Sequence, residues 1–146
     1  MNRNEVTEQI VFARLQRGLS WQELADAIDR PVLWTTSALL GQHPIPAELG
    51  QKLVGMLGLD SAAVPVLAAV PMRGAMKTTV PTDPTIYRFY EAVGVYGGAI
   101  KELIHEQFGD GIMSAINMSV QLQKKPHPSG DRVVVTFDGK FLLWTD

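Results

Sequence analysis

The sequence predicts an α+β chain in two parts, a helical bundle over residues 1–75 and a long helix followed by a small β-sheet over residues 76–146. Three observations predict it. Up to residue 70 the apolar residues recur at helical spacing in short runs, opened by capping residues or prolines and mostly closed by glycine. Residues 71–84, PMRGAMKTTVPTDP, then carry three prolines and one glycine with little periodicity, as a connector does. Beyond them one long helical stripe gives way to alternation, the period of a strand.

Val6, Ile10 and Ala13 form the first stripe, across residues 4–17, with Gly18 placed to end it. Ser20 with Glu23 three residues on is a capping box, in which each side chain satisfies the other's backbone N–H. Trp21, Leu24, Ala25 and Ile28 supply the buried face of that second helix. Asp29-Arg30-Pro31 turns the chain, and VLWTTSALL continues as a third helix to Gly41. Leu49, Leu53 and Leu57 mark a fourth helix between Pro44 and Gly58, and Asp60 caps a short fifth reaching about Val70. This succession, with ELADAI running into a turn and another helix, resembles the bundle of phage-repressor-like DNA-binding domains. In a DNA reader the second helix of that pair meets bases and phosphates. Here it reads PVLWTTSALL, without lysine or arginine, so packing is the favoured use of the bundle and nucleic acid is not expected as a partner.

Asp83-Pro84 provides a cap and a first-turn proline for the long helix, in which Ile86, Phe89, Tyr90, Val93, Gly97, Ile100 and Ile104 share one stripe. It is expected to stop near Phe108-Gly109-Asp110-Gly111. In the following IMSAINMSVQLQKK, residues Ile112, Ser114, Ile116, Met118, Val120 and Leu122 alternate onto one face. RVVVTFDGKFLLW reads as two further strands about Asp138-Gly139, a two-residue hairpin signal. One helix and about three strands in roughly 65 residues bury too little apolar surface unaided. The C-terminal domain is therefore expected to be completed by dimerisation.

A net charge of −2 offers no overall attraction to phosphate backbones or anionic lipid, so a small anion would have to be drawn in by a few focused arginines. With no cysteine, disulfides, thiolate nucleophiles and cysteine-ligated metals are excluded together. The polar start MNRNEVTEQI lacks a signal-peptide pattern, and SAAVPVLAAVPM is too short and too proline-broken to span a bilayer. A cytoplasmic protein without membrane partners is expected.

Arg88 and Glu91 stand at i and i+3 inside DPTIYRFYEAVGVY, off the apolar stripe but flanked on their own side by Tyr87 and Val95. Such a pair on a helix is ordinarily a solvated one, of small energetic consequence. An apolar setting is instead what a surface meeting another chain would show. Ser114 is the single polar member of its expected strand face. An arginine, a carboxylate and a hydroxyl in a dry interface would suit a small anion.

VPTDPTIYRFYEAVGVYG and IKELIHEQFGDGIMSAINM closely resemble the C-terminal domain of the cyanate hydratase family, also called cyanase or cyanate lyase, which also carries a helical, repressor-like N-terminal bundle. The resemblance covers nearly the whole chain and is strongest from Val80 to Met118. It implies bicarbonate-dependent decomposition of cyanate to carbamate and carbon dioxide, carbamate then giving ammonia and more carbon dioxide. The family's catalytic arginine and glutamate fall on Arg88 and Glu91, and its catalytic serine falls on Ser114. It further implies no cofactor, bicarbonate as co-substrate, and a homodecamer built as a pentamer of dimers. The tail KFLLWTD and the linker RGAMKTT depart from the family's usual sequence.

Other motifs carry less. Glu102 and His105 form a lone Glu-x-x-His pair where a di-iron site needs two such pairs and two more glutamates. His43 and His127 lie in proline-bearing loops without ligand spacing, and Gly109-Asp110-Gly111 lacks a phosphate-loop pattern, so no metal or nucleotide is expected. The competing reading is a non-enzymatic, repressor-like DNA-binding regulator that dimerises through its C-terminal domain.

Overall fold

The computed structural model describes residues 1–71 and 79–145. By contact the chain divides into two compact units, Met1–Ala75 and Met76–Asp146. Part of the expected connector, including RGAMKT, lies outside the described residues.

Among the described residues, five helices build the first unit: α1 (Arg3–Gln16), α2 (Trp21–Ala27), α3 (Val32–Leu39), α4 (Ala47–Leu57) and α5 (Ala63–Ala68). The boundaries follow local chemistry. Ser20 accepts from the Glu23 amide and Glu23 accepts from the Ser20 amide, the expected capping box. Asn2 and Glu5 repeat the device at the start of α1. Gly58 ends α4 in the left-handed conformation that a glycine adopts without steric cost. Asp60 accepts from the Ala62 amide ahead of α5.

The apolar stripes converge on one core. Val6 and Ile10 of α1, Leu24 of α2, Leu39 of α3, Leu53 and Leu57 of α4 and Leu67 of α5 are all fully or almost fully buried. Each such side chain contributes about 1.5–3 kcal/mol by leaving water. Trp21 and Trp34 pack at the edge, with the Arg14 guanidinium 4.6 Å from the Trp21 ring centre and Arg30 5.7 Å from that of Trp34.

The second unit contains α6 (Pro84–Phe108), β1 (Gly111–Lys125) and β2 (Arg132–Leu143). Asp83 caps α6 by accepting from the amides of Thr85 and Ile86, with Pro84 in the first turn as expected. The strands form a two-stranded antiparallel sheet, with Gly111 opposite Leu143 and Lys125 opposite Arg132. Phe108 at the end of α6 packs on Phe141 of β2, ring centres 5.3 Å apart.

Two expectations are corrected here. Asp138-Gly139 is not a hairpin turn: β2 runs through it, Asp138 pairing with Ser119 and Gly139 with Met118. The turn lies in residues 126–131 instead, where Gly130 takes a φ of 118° and Ser129 bonds to Nδ1 of His127. Among the described residues there are accordingly two strands, not three. The even alternation from Ile112 to Leu122 also fails, because the pairing jumps from Met113–Phe141 to Met118–Gly139. Residues 114–117 bulge out opposite Lys140 alone, and a bulge resets which face each side chain takes.

The described residues of the second unit form no core of their own. None of the 25 residues of α6 is buried, and apart from Pro81 no apolar side chain described in this unit is. Its apolar residues are numerous nonetheless: Phe89, Val93, Ile100 and Leu103 on α6, and Ile112, Phe137 and Leu142 on the sheet, stand exposed. A sheet of two strands and one helix cannot be stable with that surface in water.

Candidate active site

Arg88 and Glu91 occupy the second turn of α6 and the start of its third. Their side chains form an ion pair with Nη1 3.6 Å from a carboxylate oxygen, both more than half exposed. Tyr87 and Tyr90 stack alongside at 5.8 Å between ring centres. The helix therefore projects a charged pair bordered by aromatic rings.

Ser114 sits differently from its expected place on an aliphatic face. It is buried, with 6 % of its surface exposed, while Ile112 and Ile116 on either side are exposed, Ile116 almost completely at 98 %. The bulge is the cause. Within it the Ser114 hydroxyl oxygen accepts from the amide of Ile116 at 3.1 Å and from that of Asn117 at 2.9 Å. A hydroxyl has two lone pairs and one proton, so both acceptor positions are used and the proton alone remains to be given.

A single chain brings Arg88 and Glu91 together and leaves Ser114 apart. Arg88 stands 20 residues before the end of α6, which at helical rise is roughly 30 Å, and Ser114 follows that far end. No hydrogen bond or ion pair among the described residues joins them. Two shallow clefts, about 360 Å³ beside Arg3, Pro65 and Val70 and about 630 Å³ beside Lys124, Pro126 and Val134, contain none of the three. No group of three or more acidic or histidine side chains among the described residues could hold a metal ion.

Two family descriptions account for the chain end to end: "Cyanate hydratase, N-terminal" matches residues 3–71 and "Cyanate lyase C-terminal domain" matches residues 78–146. The chain belongs to the cyanate lyase family. Cyanate hydratase of Mycobacterium avium is 81% identical over 142 residues, covering 97% of this chain and 92% of that one. The Pseudomonas paraeruginosa cyanate hydratase is 49% identical, covering 96% and 90%. The crystal structure of cyanase from T. urticae matches with a TM-score of 0.83 at 36% identity, over 94% of this chain and 96% of that one. Membership of the cyanate lyase family makes the protein an enzyme of the lyase class and does not favour the DNA-binding regulator. No described helix is long and apolar enough to cross a membrane.

The sequence marked all three candidates, but nothing in it marked the amides of Ile116 and Asn117 that hold Ser114. Backbone donors have no side-chain signature.

Proposed function

We propose that this protein decomposes cyanate with bicarbonate, at a site that Arg88, Glu91 and Ser114 form between copies of the chain. The observation that carries this reading is the buried Ser114 hydroxyl, left as a donor only, in a chain whose relatives are named cyanate hydratases. A donor without a free lone pair binds anions and does not attack them.

The chemistry constrains the roles. Cyanate and bicarbonate are both monoanions, and a bicarbonate oxygen attacks the cyanate carbon to give a dianionic adduct. The nitrogen then gains two protons, one from the bicarbonate hydroxyl and one from outside. Cleavage of the bond between the attacking oxygen and the former bicarbonate carbon releases carbon dioxide and leaves carbamate, which takes a further proton and falls to ammonia and carbon dioxide. No electrons are transferred, so the sequence of steps calls for no redox cofactor.

Arg88 serves the first requirement, because a guanidinium stays protonated and offers a planar fork to carboxylate-like oxygens. Glu91, paired with it, fixes the fork's direction and avoids standing as an unpaired negative charge beside two anions. Ser114 donates to one end of the adduct, where charge grows in the transition state. Holding both reactants in line recovers as much as ~7–11 kcal/mol of the barrier in well-aligned cases.

Assembly completes the site in this reading. The length of α6 separates Arg88 from Ser114, and the apolar surfaces of α6 and of the sheet lack a core within one chain. A decamer arranged as a pentamer of dimers, located in the cytoplasm, is the form proposed. The test is ammonia released from cyanate by purified protein, with bicarbonate added and then rigorously removed. Release that depends on bicarbonate is expected; folded, oligomeric protein that releases none at any bicarbonate level would overturn the proposal.

A further inference from the structure

The Asp138-Gly139 pair has the form of a turn and lies in the middle of a strand, which leaves its glycine unexplained by chain reversal. Backbone conformation does not explain it either. Gly139 is absent from the glycines with positive φ, so any residue could adopt its dihedral angles. Space is the constraint. A Cβ at position 139 would stand 2.7 Å from the Ser114 carbonyl oxygen and closer still to Cγ of Met113, with the Met113 sulfur at 3.0 Å. A carbon atom does not approach an oxygen so closely, and a backbone carbonyl cannot swing aside as the end of a long side chain can.

The carbonyl in question belongs to the residue whose hydroxyl the proposed reaction uses. Residues 114–117 have no register partner and stand opposite Lys140. Two contacts hold them there: the bonds from the Ile116 and Asn117 amides to the Ser114 hydroxyl oxygen, and the bare backbone of Gly139 against which the Ser114 carbonyl lies. We propose that Gly139 is a positioning residue, whose missing side chain seats the Ser114 bulge on β2 so that the hydroxyl keeps both lone pairs engaged and its one proton aimed outward. Glycine inside a strand commonly marks a bulge or a close backbone approach, and here it marks both. A methyl group at 139 displaces the Ser114 carbonyl, and the hydroxyl attached one carbon away moves with it.

The inference rests on the reading of Ser114 given above, and the test separates the two. Ammonia release from cyanate at saturating bicarbonate is measured for the unsubstituted protein, Gly139→Ala, Ser114→Ala and the double variant, each checked for assembly by light scattering. Loss of one donor lowers kcat by about 10²–10³-fold for Ser114→Ala. Misplacement of that donor lowers it by about 10–100-fold for Gly139→Ala. If Gly139 acts through Ser114, adding Gly139→Ala to Ser114→Ala changes the rate by less than about twofold, whereas a merely structural glycine lowers both backgrounds by the same factor. Equal factors, or an unchanged kcat in Gly139→Ala, would overturn the inference.

Should Gly139→Ala fail to assemble, Met113→Ala/Gly139→Ala removes the flexible half of the clash and retains the carbonyl half, and the same cycle is run with the same two outcomes. A readout independent of turnover accompanies it: exchange at the Ile116 and Asn117 amides becomes roughly tenfold faster in Gly139→Ala as their acceptor moves away. Unchanged exchange refutes the positioning role even if the protein proves inactive toward cyanate.

Discussion

Replacing Arg3 by alanine is expected to destabilise the N-terminal unit by about 2–4 kcal/mol while leaving the activity of assembled protein unchanged. The guanidinium gives four hydrogen bonds to main-chain carbonyls: Nη1 to Val66 and Leu67 at 2.8 Å, Nη2 to Ala38 and His43 at 2.9 Å. Ala38 lies in the last turn of α3, and Val66 and Leu67 in the last turns of α5. These are helix C-termini, where carbonyls lack helical partners and the helix dipole favours a cation. The first residue of α1 thus ties the ends of two other helices. Burial lowers the Arg3 pKa from its ordinary value, although the group remains a cation at any physiological pH.

Hydrogen bonds to charged groups are worth about 1.5–3 kcal/mol each, but four such values do not add here. Leu67 and Ala38 already accept from the amides of Ile45 and Gly41, so losing Arg3 leaves neither of them without a donor. The site is also partly open, and water can replace some of what remains. Two bonds remain, and discounted by water to about 1–2 kcal/mol each they give the stated range. Arg3→Lys keeps the charge but offers a compact ammonium with three donors to carbonyls arranged for a fork, and is expected to lose roughly half as much. Urea unfolding followed through Trp21 and Trp34 fluorescence measures both, and the midpoint should fall without a change in slope. An Arg3→Ala protein within about 0.5 kcal/mol of the unsubstituted chain would refute the reasoning, because water would then be an equal partner for those carbonyls.

Three other expectations follow from the same structure. Arg88→Lys retains a cation without the fork: kcat/KM should fall by about 100-fold or more, while unfolding stability moves by less than about 0.5 kcal/mol because the ion pair is exposed; a comparable loss of assembly, seen by light scattering, would make Arg88 structural. The Glu23 carboxyl is held below its ordinary pKa by hydrogen bonds from Ser20, first its backbone and then its side chain. A depressed carboxylate stabilises the fold above its unfolded pKa and loses that contribution as pH falls through the folded one. The deficit of Ser20→Ala, clear near neutral pH in urea titrations, should therefore shrink in acid, and a constant deficit would contradict the assignment. Ile116→Asp places a charge on the exposed tip of the bulge and should shift sedimentation toward smaller species; an unchanged oligomer would mean that Ile116 faces water in the assembly.

How far the fold was legible depended on the range of the interactions that determine it. Ser20 with Glu23, Asp83 with Pro84, and the glycine after α4 act within a turn of helix, and all are readable from adjacent letters. Asn2 with Glu5 is equally local. Asp138-Gly139 misled because a hairpin turn and a strand glycine share the same local letters, and only the distant Ser114 carbonyl distinguishes them. The alternation that points to Ser114 is interrupted by the residue's own bulge, so the family resemblance, not the strand pattern, is what supports it in the sequence. Arg3 had no signal at all, since its partners are backbone carbonyls 35 to 64 residues away.

The exposed ion pair of Arg88 and Glu91 links catalysis to assembly in the proposed function. Two unit charges 3.6 Å apart attract by about 1 kcal/mol in bulk water and by about 4–5 kcal/mol at an effective dielectric near 20. In a lone chain Arg88 and Glu91 sit near the first limit, and most of that attraction is spent on ordering two long side chains. An arginine so well hydrated would hold a monoanion weakly and two monoanions no better. The same arginine becomes a strong anion site only when a neighbouring surface excludes water, and α6 and the sheet carry an apolar surface suited to doing so. Assembly would then supply both the missing core of the second unit and the low dielectric that the proposed chemistry needs. Serial dilution tests the coupling: specific activity should fall together with the oligomer, at one concentration, and be restored on reconcentration. Activity that persists in a dissociated chain would separate catalysis from assembly and return Arg88 and Glu91 to an ordinary surface pair.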